Sequence, residues 1–567
     1  MNAIRALGVT LALLAGACTP SDRQVHQWYL AELDQLDTRL FTLDSALRGH
    51  EGRGAREAFI HAREQYKRVE FLVEFYNPGF ARELNGAPIA EVEDDDPNRI
   101  VNPPHGFQVV EPLLFPSFDT AGRAEALNEM ALMRESLGGL RGMVSATEFI
   151  DANIWDAARL EIVRVATVGL SGFDAPAAQT AVPEASRALE GVLDALSHYG
   201  SIASLNRALA GAIASLKSSS DFERFDRLAF TRDHLRPIGR ELVTTRKALG
   251  IAVPAEARAL RPDAASPFDS GAFESRFFAP PGIQPAAAAD IEHGRTLFFD
   301  PKLSRTGARS CASCHRHELA FTDGRARSEP LDPRRPVRLR NAPTIINAGL
   351  QPGSFYDLRT AYLEDQVIAV LSNPDEMHAP LTDSTQSRAI AAFVRSAVAL
   401  DAPFDRYVRG DTTALTVGQR RGYNLFESKA RCGTCHFPPL FNGAIPPLYD
   451  RSEVEVLGVP ERAGVANPRL DPDVGRYAIT LSPLHRHAFK VPTLRNAELT
   501  GPYMHNGVFR TLEEVIDFYD GGGGVGLGLD IPNQTLPSDS LKLSKEEKKD
   551  LLQFLRALTD TAGMSEK

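Results

Sequence analysis

Two copies of the sequence Cys-x-x-Cys-His are the residues best suited to carry chemistry. They are Cys311-Ala-Ser-Cys314-His315 and Cys432-Gly-Thr-Cys435-His436. Two cysteines on one turn can each form a thioether to a porphyrin vinyl group, and the adjacent histidine then reaches the iron from the same side. A single copy could also be half of a zinc site or a redox dithiol. Two copies in one chain predict two covalently bound c-type haems.

Each motif must be positioned by the segment before it, and both segments have a helical pattern that ends in Leu-Phe. The surrounding region is rich in proline and glycine, with short predicted helices at Ala288–Phe298, Ser387–Val398, Val417–Phe426 and Ser544–Leu558. The repeated order of helix, Leu-Phe and motif indicates an internal duplication. We therefore expect two cytochrome c domains, at residues 286–410 and 411–565.

The chain before the motifs has a different pattern. Apolar residues recur at three- and four-residue spacing in Trp28–Leu47, Ala55–Tyr76, Arg123–Leu140 and Pro183–Leu196. We expect a mainly α protein, with a helical bundle at residues 23–250 followed by two c-type cytochrome domains with long loops and little sheet. Residues 251–285 are rich in alanine, proline and glycine, which predicts a linker and a separable bundle.

The N-terminus has the pattern of an export signal. Arg5 precedes the apolar run Leu7–Ala17, which is too short to span a bilayer and ends at Cys18. We expect residues 1–18 to be a lipoprotein signal with Cys18 lipidated, and the protein to be periplasmic and anchored to the outer membrane. Ala15 stands where such signals usually have leucine, so plain cleavage is the alternative, and a buried N-terminal helix is a third.

Charge and cysteine content exclude several other classes. The 567-residue chain has a net charge of -10, which argues against nucleic acid as a partner because phosphate binding needs a basic surface. A basic electron-donor protein would suit this charge better. Four of the five cysteines belong to the two motifs and the fifth is Cys18, so no disulfide framework is expected.

Several blocks around the motifs occur in an order that is shared with a known family. They are Leu297-Phe298-Phe299-Asp300-Pro301, Phe321-Thr322-Asp323-Gly324, Arg340-Asn341-Ala342-Pro343-Thr344, Leu363-Glu364-Asp365-Gln366, Asn373-Pro374-Asp375-Glu376-Met377, Phe489-Lys490-Val491-Pro492-Thr493 and Pro502-Tyr503-Met504-His505-Asn506-Gly507. With these blocks, the region from Gly294 to Phe554 resembles the bacterial di-haem cytochrome c peroxidases and their MauG relatives.

The resemblance implies a role for residues on both sides of the first haem. His315 would be the proximal ligand of the peroxidatic haem, and Gln366 and Glu376 would line its distal pocket. The pair makes chemical sense, because O–O cleavage needs a group that takes a proton from one peroxide oxygen and returns it to the other. The alternatives are a surface loop acid for Glu376 and a helix-surface residue for Gln366.

For the second haem the resemblance implies His436 as the proximal ligand of an electron-transfer centre. The opposite ligand is methionine in typical peroxidases and tyrosine in MauG, fourteen residues after the histidine of the Pro-Tyr-x-His block. Counting from His505 gives Tyr519, with Met504 as the competing candidate and simple packing of Tyr519 as the other alternative. Typical peroxidases also place a movable histidine in the loop that is residues 328–340 here. That loop has none, so the first haem should be open.

Two further features are implied between the haems. Where the family usually has tryptophan, this chain has Tyr356, which would relay charge if a proton acceptor lies nearby and would otherwise be a packed aromatic. The family also has a calcium ion, and its matching positions are Asn341, Thr500 and Pro502, the latter two through backbone carbonyls.

A short block in the first half resembles another family. Gly106-Phe107-Gln108-Val109-Val110-Glu111 is similar to the G-x-H-x-x-E block of imelysin-like helical domains, with Gln108 in place of the histidine. An amide is a poor replacement for imidazole at a transition metal, which weakens a metal role. An ordinary amphipathic turn is the alternative.

Three functions follow from these residues. The first is a peroxidase that reduces hydrogen peroxide with electrons from a small periplasmic cytochrome or copper protein. The second is a MauG-like oxidase that uses a high-valent di-haem state to modify a partner protein. The third is a non-enzymatic electron-transfer lipoprotein with two closed haems, whose only membrane contact would be the lipid.

Overall fold

The structure is a computed structural model that describes residues 20–49, 52–92, 100–200, 202–219, 221–379 and 384–561. The predicted signal with Cys18 lies outside the described residues. Helices dominate both halves of the chain, and the strands in the described ranges form two short antiparallel pairs. The predicted mainly α fold class is therefore confirmed. No helix in these ranges has the length and apolar character needed to cross a membrane.

The first half is a bundle of long helices that pack through apolar stripes. In the first helix, Val25, Tyr29 and Leu33 follow one another at four-residue spacing and are fully buried. The helices are α1 (Pro20–Arg48), α2 (Gly52–Tyr76), α3 (Pro78–Asn85), α4 (Phe107–Leu114), α5 (Arg123–Ala146), α6 (Asp151–Arg164), α7 (Ala181–Ser197), α8 (Ala203–Lys217), α9 (Arg227–Phe230) and α10 (Arg236–Ala248). Two π-helical turns, Val165–Gly169 and Thr231–Leu235, interrupt this pattern, and strands β1 (Glu91–Val92) and β2 (Val101–Asn102) pair with each other.

The second half consists of short helices joined by long loops. Its helices are α11 (Ala288–Phe299), α12 (Leu363–Ser372), α13 (Ser384–Ser396), α14 (Pro403–Val408), α15 (Val417–Phe426), α16 (Tyr477–Thr480), α17 (Leu512–Asp520), α18 (Gly523–Gly526) and α19 (Lys545–Arg556). Strands β3 (Val454–Glu455) and β4 (Phe489–Lys490) pair with each other. Helix α11 packs on α13, and α15 packs on α19, so each Cys-x-x-Cys-His motif follows the first helix of a packed pair.

The same local architecture follows each motif, as expected for a duplication. The hydroxyl of Thr344 donates a hydrogen bond of 2.7 Å to the carbonyl of Ala320, and that of Thr493 donates one of the same length to the carbonyl of Leu440. Three residues after each threonine, an asparagine has a left-handed backbone with φ of 61°: Asn347 and Asn496. The regions that follow the two motifs therefore repeat one plan.

The segment predicted as a linker is packed against both halves. Leu260, Phe268 and Phe273 are buried, and the ring of Phe268 lies 5.9 Å from that of Phe404 in α14. Composition alone indicated a free tether, but the aromatic residues between the prolines and glycines bury their side chains. Residues 251–285 are thus an ordered connection in this structure.

The two halves also make direct contacts. Arg232 donates a hydrogen bond to the hydroxyl of Tyr407, and Asn424 Nδ2 donates one of 2.9 Å to Asp226 Oδ1. Apolar residues of the bundle and of α14, α15 and α19 belong to one continuous core. The helical half is therefore packed on the region that surrounds the second motif.

Candidate active site

Both motifs open onto one large cavity. Its volume is about 910 Å³, and its walls include all four motif cysteines together with His315 and His436. Every other residue that the sequence placed at the site also lines this cavity: Gln366, Glu376, Tyr356, Tyr519, Met504, Asn341, Thr500 and Pro502. The structure thus brings together residues that are spread over more than 170 positions of the chain.

Each motif forms a single 3₁₀ turn that aims its side chains into the cavity. The backbone N–H of His315 donates to the carbonyl of Cys311 at 2.9 Å, and that of His436 donates to the carbonyl of Cys432 at 3.0 Å. Burial raises the pKa of both first cysteines, Cys311 and Cys432, to about 12. A redox dithiol needs the opposite shift, toward a thiolate, so this alternative is disfavoured.

The two histidines are prepared to bind iron. His315 Nδ1 lies 3.0 Å from the carbonyl of Phe321, and His436 Nδ1 lies 3.1 Å from the carbonyl of Pro492. A carbonyl oxygen can only accept, so Nδ1 carries the proton and Nε2 keeps its lone pair. Burial lowers the pKa of His436 to about 4, which keeps its imidazole neutral. The four cysteine thiols, the two neutral imidazoles and the volume of the cavity are together suited to hold two c-type haems.

Gln366 and Glu376 reach the cavity from opposite ends of α12. Gln366 lies in the first turn of this helix, and Glu376 follows its C-terminus in a turn closed by the bond from Glu376 N to the carbonyl of Asn373, 3.1 Å. Burial raises the pKa of the Glu376 carboxyl above its usual value, and the nearby positive charge of Arg359 opposes this shift. A buried carboxyl of this kind keeps its proton to a higher pH than an exposed glutamate does, which suits a group that takes and returns a proton.

Tyr519 and Met504 are both in the cavity wall, but their surroundings differ. Burial raises the pKa of Tyr519 strongly, and the charges of Cys435 and Cys432 raise it further. The protonated form of the Tyr519 hydroxyl is therefore favoured here. Met504 lies in a loop with a left-handed backbone, φ 73°, next to His505.

The hydroxyl of Tyr356 has an amide as its hydrogen-bond partner. Its hydroxyl donates to Asn341 Oδ1 at 3.3 Å, and the Asn341 amide group in turn donates to the carbonyl of Arg325 at 2.8 Å. Burial raises the pKa of the Tyr356 hydroxyl above its usual value. Loss of the phenolic proton is therefore unfavourable here.

Three parts of the cavity were not anticipated from the sequence. Lys490 of β4 lies in the wall and donates to Gln351 Oε1 at 2.8 Å, and burial lowers the pKa of its amine to about 8. The ring of Phe489 stacks on that of His505 at 3.8 Å. The helical half supplies the third part: Ala87, Pro88, Ile89, Gln108, Phe173 and Pro176. No spacing in the sequence signals these long-range contacts.

Two Cys-x-x-Cys-His turns on one cavity, within a duplicated α fold, define a di-haem c-type cytochrome. The family model for di-haem cytochrome c peroxidase matches residues 288–387. The cytochrome-c peroxidase IdrP1 of Pseudomonas sp. (strain SCT) is 34% identical over 329 residues, which cover 49% of this chain and 83% of that protein. The chain belongs to the family of di-haem cytochrome c peroxidases and MauG proteins.

Other relatives represent both branches of this family. The methylamine utilization protein MauG of Methylorubrum extorquens is 31% identical over 331 residues, covering 52% of this chain and 86% of that protein. The cytochrome c551 peroxidase of Nitrosomonas europaea is 32% identical over 261 residues, covering 41% of this chain and 74% of that protein. The protein is accordingly an oxidoreductase of this family with two c-type haems. The imelysin-like character of the first half stays a prediction.

Proposed function

We propose that this protein reduces hydrogen peroxide to water at the haem held by His315, with electrons that enter through the haem held by His436 from a small redox protein. The observation that carries the proposal is the position of Gln366 and Glu376. Both side chains share a cavity with the first motif, and the carboxyl is buried there.

The chain's own residues account for the movement of protons. Reduction of one peroxide consumes two electrons and two protons and yields two waters. A c-type haem, when bound, supplies the iron that receives these electrons and gives them to peroxide. Glu376 as carboxylate takes the proton from one peroxide oxygen and returns it to the other, the leaving oxygen. The Gln366 amide donates a hydrogen bond that orients the peroxide.

The surroundings of Tyr356 favour this peroxidase over the storage of oxidising equivalents across both haems. An oxidised tyrosine normally releases its phenolic proton, and the hydroxyl of Tyr356 faces the amide oxygen of Asn341 at 3.3 Å. An amide oxygen is a very weak base and does not accept that proton. Sharing an oxidising equivalent between the two haems through an oxidised Tyr356 would therefore be energetically unfavourable.

A MauG-like oxidase that modifies a partner protein is the second candidate. It is favoured by Tyr519, because a phenolate ligand is a hard anionic donor that stabilises ferric iron. The fourteen-residue offset from His505 that the family resemblance implies supports Tyr519 over Met504, and both residues line the cavity.

Steady-state peroxide consumption separates these candidates. The peroxidase predicts continuous turnover of hydrogen peroxide with a reduced small cytochrome or copper protein. A net charge of -10 further predicts that a basic donor works best and that its rate falls with added salt. Slow turnover with every donor, together with a long-lived oxidised state after peroxide addition, would support the second candidate.

Two further features belong to this proposal. A calcium ion between the haems would be bound by the Asn341 side chain and by the carbonyls of Thr500 and Pro502, all of which line the cavity. A periplasmic location with a lipid on Cys18 would keep the protein at the outer membrane. Radioactive palmitate should label the full chain and should not label Cys18→Ala.

A further inference from the structure

The imelysin-like block of α4 has no task in peroxide reduction, yet its polar side chains are buried. Gln108 is 3% exposed and Glu111 is 1% exposed. Buried polar groups normally have a partner, because an unpaired one loses its hydrogen bonds to water without replacement. Gln108 also lines the haem cavity. The block therefore lies where the helical half meets the redox site.

Gln108 fixes the first segment that walls the cavity. Its Nε2 donates a hydrogen bond of 2.9 Å to the backbone carbonyl of Asn85. The Asn85 side chain is fixed as well, because its Oδ1 accepts a 2.9 Å hydrogen bond from Arg63. Directly after Asn85, Ala87, Pro88 and Ile89 line the cavity. Residues 85–89 are thus attached at their start by Gln108.

Glu111 fixes a second segment. Its Oε1 accepts hydrogen bonds from the backbone N–H groups of Ala177, at 3.2 Å, and Ala178, at 2.7 Å. Just before these residues, Phe173 and Pro176 line the cavity. Residues 173–178 therefore depend on Glu111 as residues 85–89 depend on Gln108.

The glycine of the block permits this arrangement. Gly106 has φ of 94°, and a Cβ there would lie 2.2 Å from the carbonyl oxygen of Leu84. A residue with a side chain would therefore separate the start of α4 from the segment that Gln108 holds. All three defining positions of the block serve the same wall.

The second of these segments, residues 173–178, begins beside the second haem motif. The ring of Phe173 lies 5.8 Å from the ring of Phe437, the residue that follows His436. The π-helical turn Val165–Gly169 packs on the attachment turn that begins at Cys432. The helical half thus covers the attachment side of the second haem.

We propose that the helical half closes the cavity beside the second haem, and that Gln108 and Glu111 are positioning residues that hold its two wall segments. The closed wall excludes water from this haem. Ferric haem carries one more positive charge than ferrous haem, so water stabilises the ferric form and its exclusion raises the reduction potential. Loosening the wall should lower that potential and leave the first haem unchanged.

Potentiometric titration of the full-length holoprotein tests this idea without peroxide. Gln108→Met and Glu111→Met keep side-chain length and remove the hydrogen bonds. Gln24→Met and Glu135→Met, at exposed positions of α1 and α5, are the matched controls. At a fixed solution potential, the ratio of reduced to oxidised second haem should be about tenfold lower in each test variant. This change corresponds to a reduction potential that is lower by about 59 mV for one electron. The controls should change neither haem.

Two results would overturn the proposal. One is an unchanged second-haem potential in haem-loaded test variants, and the other is an equal shift at both haems, which would indicate general loosening. If either variant fails to fold, Phe173→Leu replaces it, because leucine keeps an apolar contact with Phe437 but over a smaller area. An unchanged second-haem potential in Phe173→Leu would also contradict the proposal. None of these outcomes depends on peroxide turnover, so the proposed peroxidase is tested separately.

Discussion

Replacement of the distal carboxyl is the most informative perturbation of the chemistry. Glu376→Gln keeps the size of the side chain and removes the base, while Asp365→Asn makes the same change at an exposed position of α12. Removal of a general acid–base group typically costs a factor of about 10²–10⁴ in rate. Since each tenfold is about 1.36 kcal/mol, the barrier should rise by roughly 2.7–5.4 kcal/mol.

The pH dependence gives a second signature of the same residue. Burial raises the pKa of Glu376, and a base works only when it is ionised. The wild-type rate should therefore fall as the pH drops through that raised pKa, at a higher pH than for an ordinary glutamate. In Glu376→Gln this limb should disappear.

The assay is a single-turnover reaction of the resting diferric protein with hydrogen peroxide in a stopped-flow instrument, followed by haem absorbance. Haem content should be equal in wild type, Glu376→Gln and Asp365→Asn, and only Glu376→Gln should be slow. An unchanged rate in Glu376→Gln, or an equal loss in Asp365→Asn, would remove Glu376 from the mechanism.

The remaining predictions concern the haem ligands, the metal and the two halves. Electron paramagnetic resonance of the diferric protein should show a high-spin haem, assigned to the His315 site, and spectra with low-spin haems alone would contradict an open first site. Tyr519→Met should raise the second-haem potential by more than Met504→Leu does, whereas the reverse order would assign the ligand to Met504. Asn341→Ala should lower the calcium content measured by atomic emission, and equal content would exclude this site. Removal of residues 23–250 should lower the thermal midpoint of the haem domains because both halves share one core; an unchanged midpoint would show that the contacts contribute little.

Local signals explain why much of the haem region could be predicted. The helix expected at Val417–Phe426 has these bounds, and its start is fixed by Thr416, whose hydroxyl accepts from the backbone N–H of Gln419 at 3.3 Å. A similar capping box at Ser544 starts α19, close to the expected position. The Cys-x-x-Cys-His turns are equally local, so sequence spacing determines their geometry.

The relation between the two halves could not be predicted in this way. Phe173 and Phe437 are in contact although 264 positions separate them, and no periodicity in the sequence predicts such a contact. The proline- and glycine-rich composition of residues 251–285 favoured a tether, while burial of Phe268 and Phe273 depends on partners far along the chain. The same holds between the haems, because the sequence places both Tyr356 and Asn341 there but does not show the hydrogen bond that joins them.

The most direct test of peroxide reduction is its electron stoichiometry. The holoprotein is mixed with excess reduced small cytochrome, and known amounts of hydrogen peroxide are added while donor oxidation and residual peroxide are measured. The account predicts two donor molecules oxidised for each peroxide consumed, repeatedly and without loss of enzyme. Peroxide that persists beside a fully reduced donor, or is consumed without donor oxidation, would contradict it.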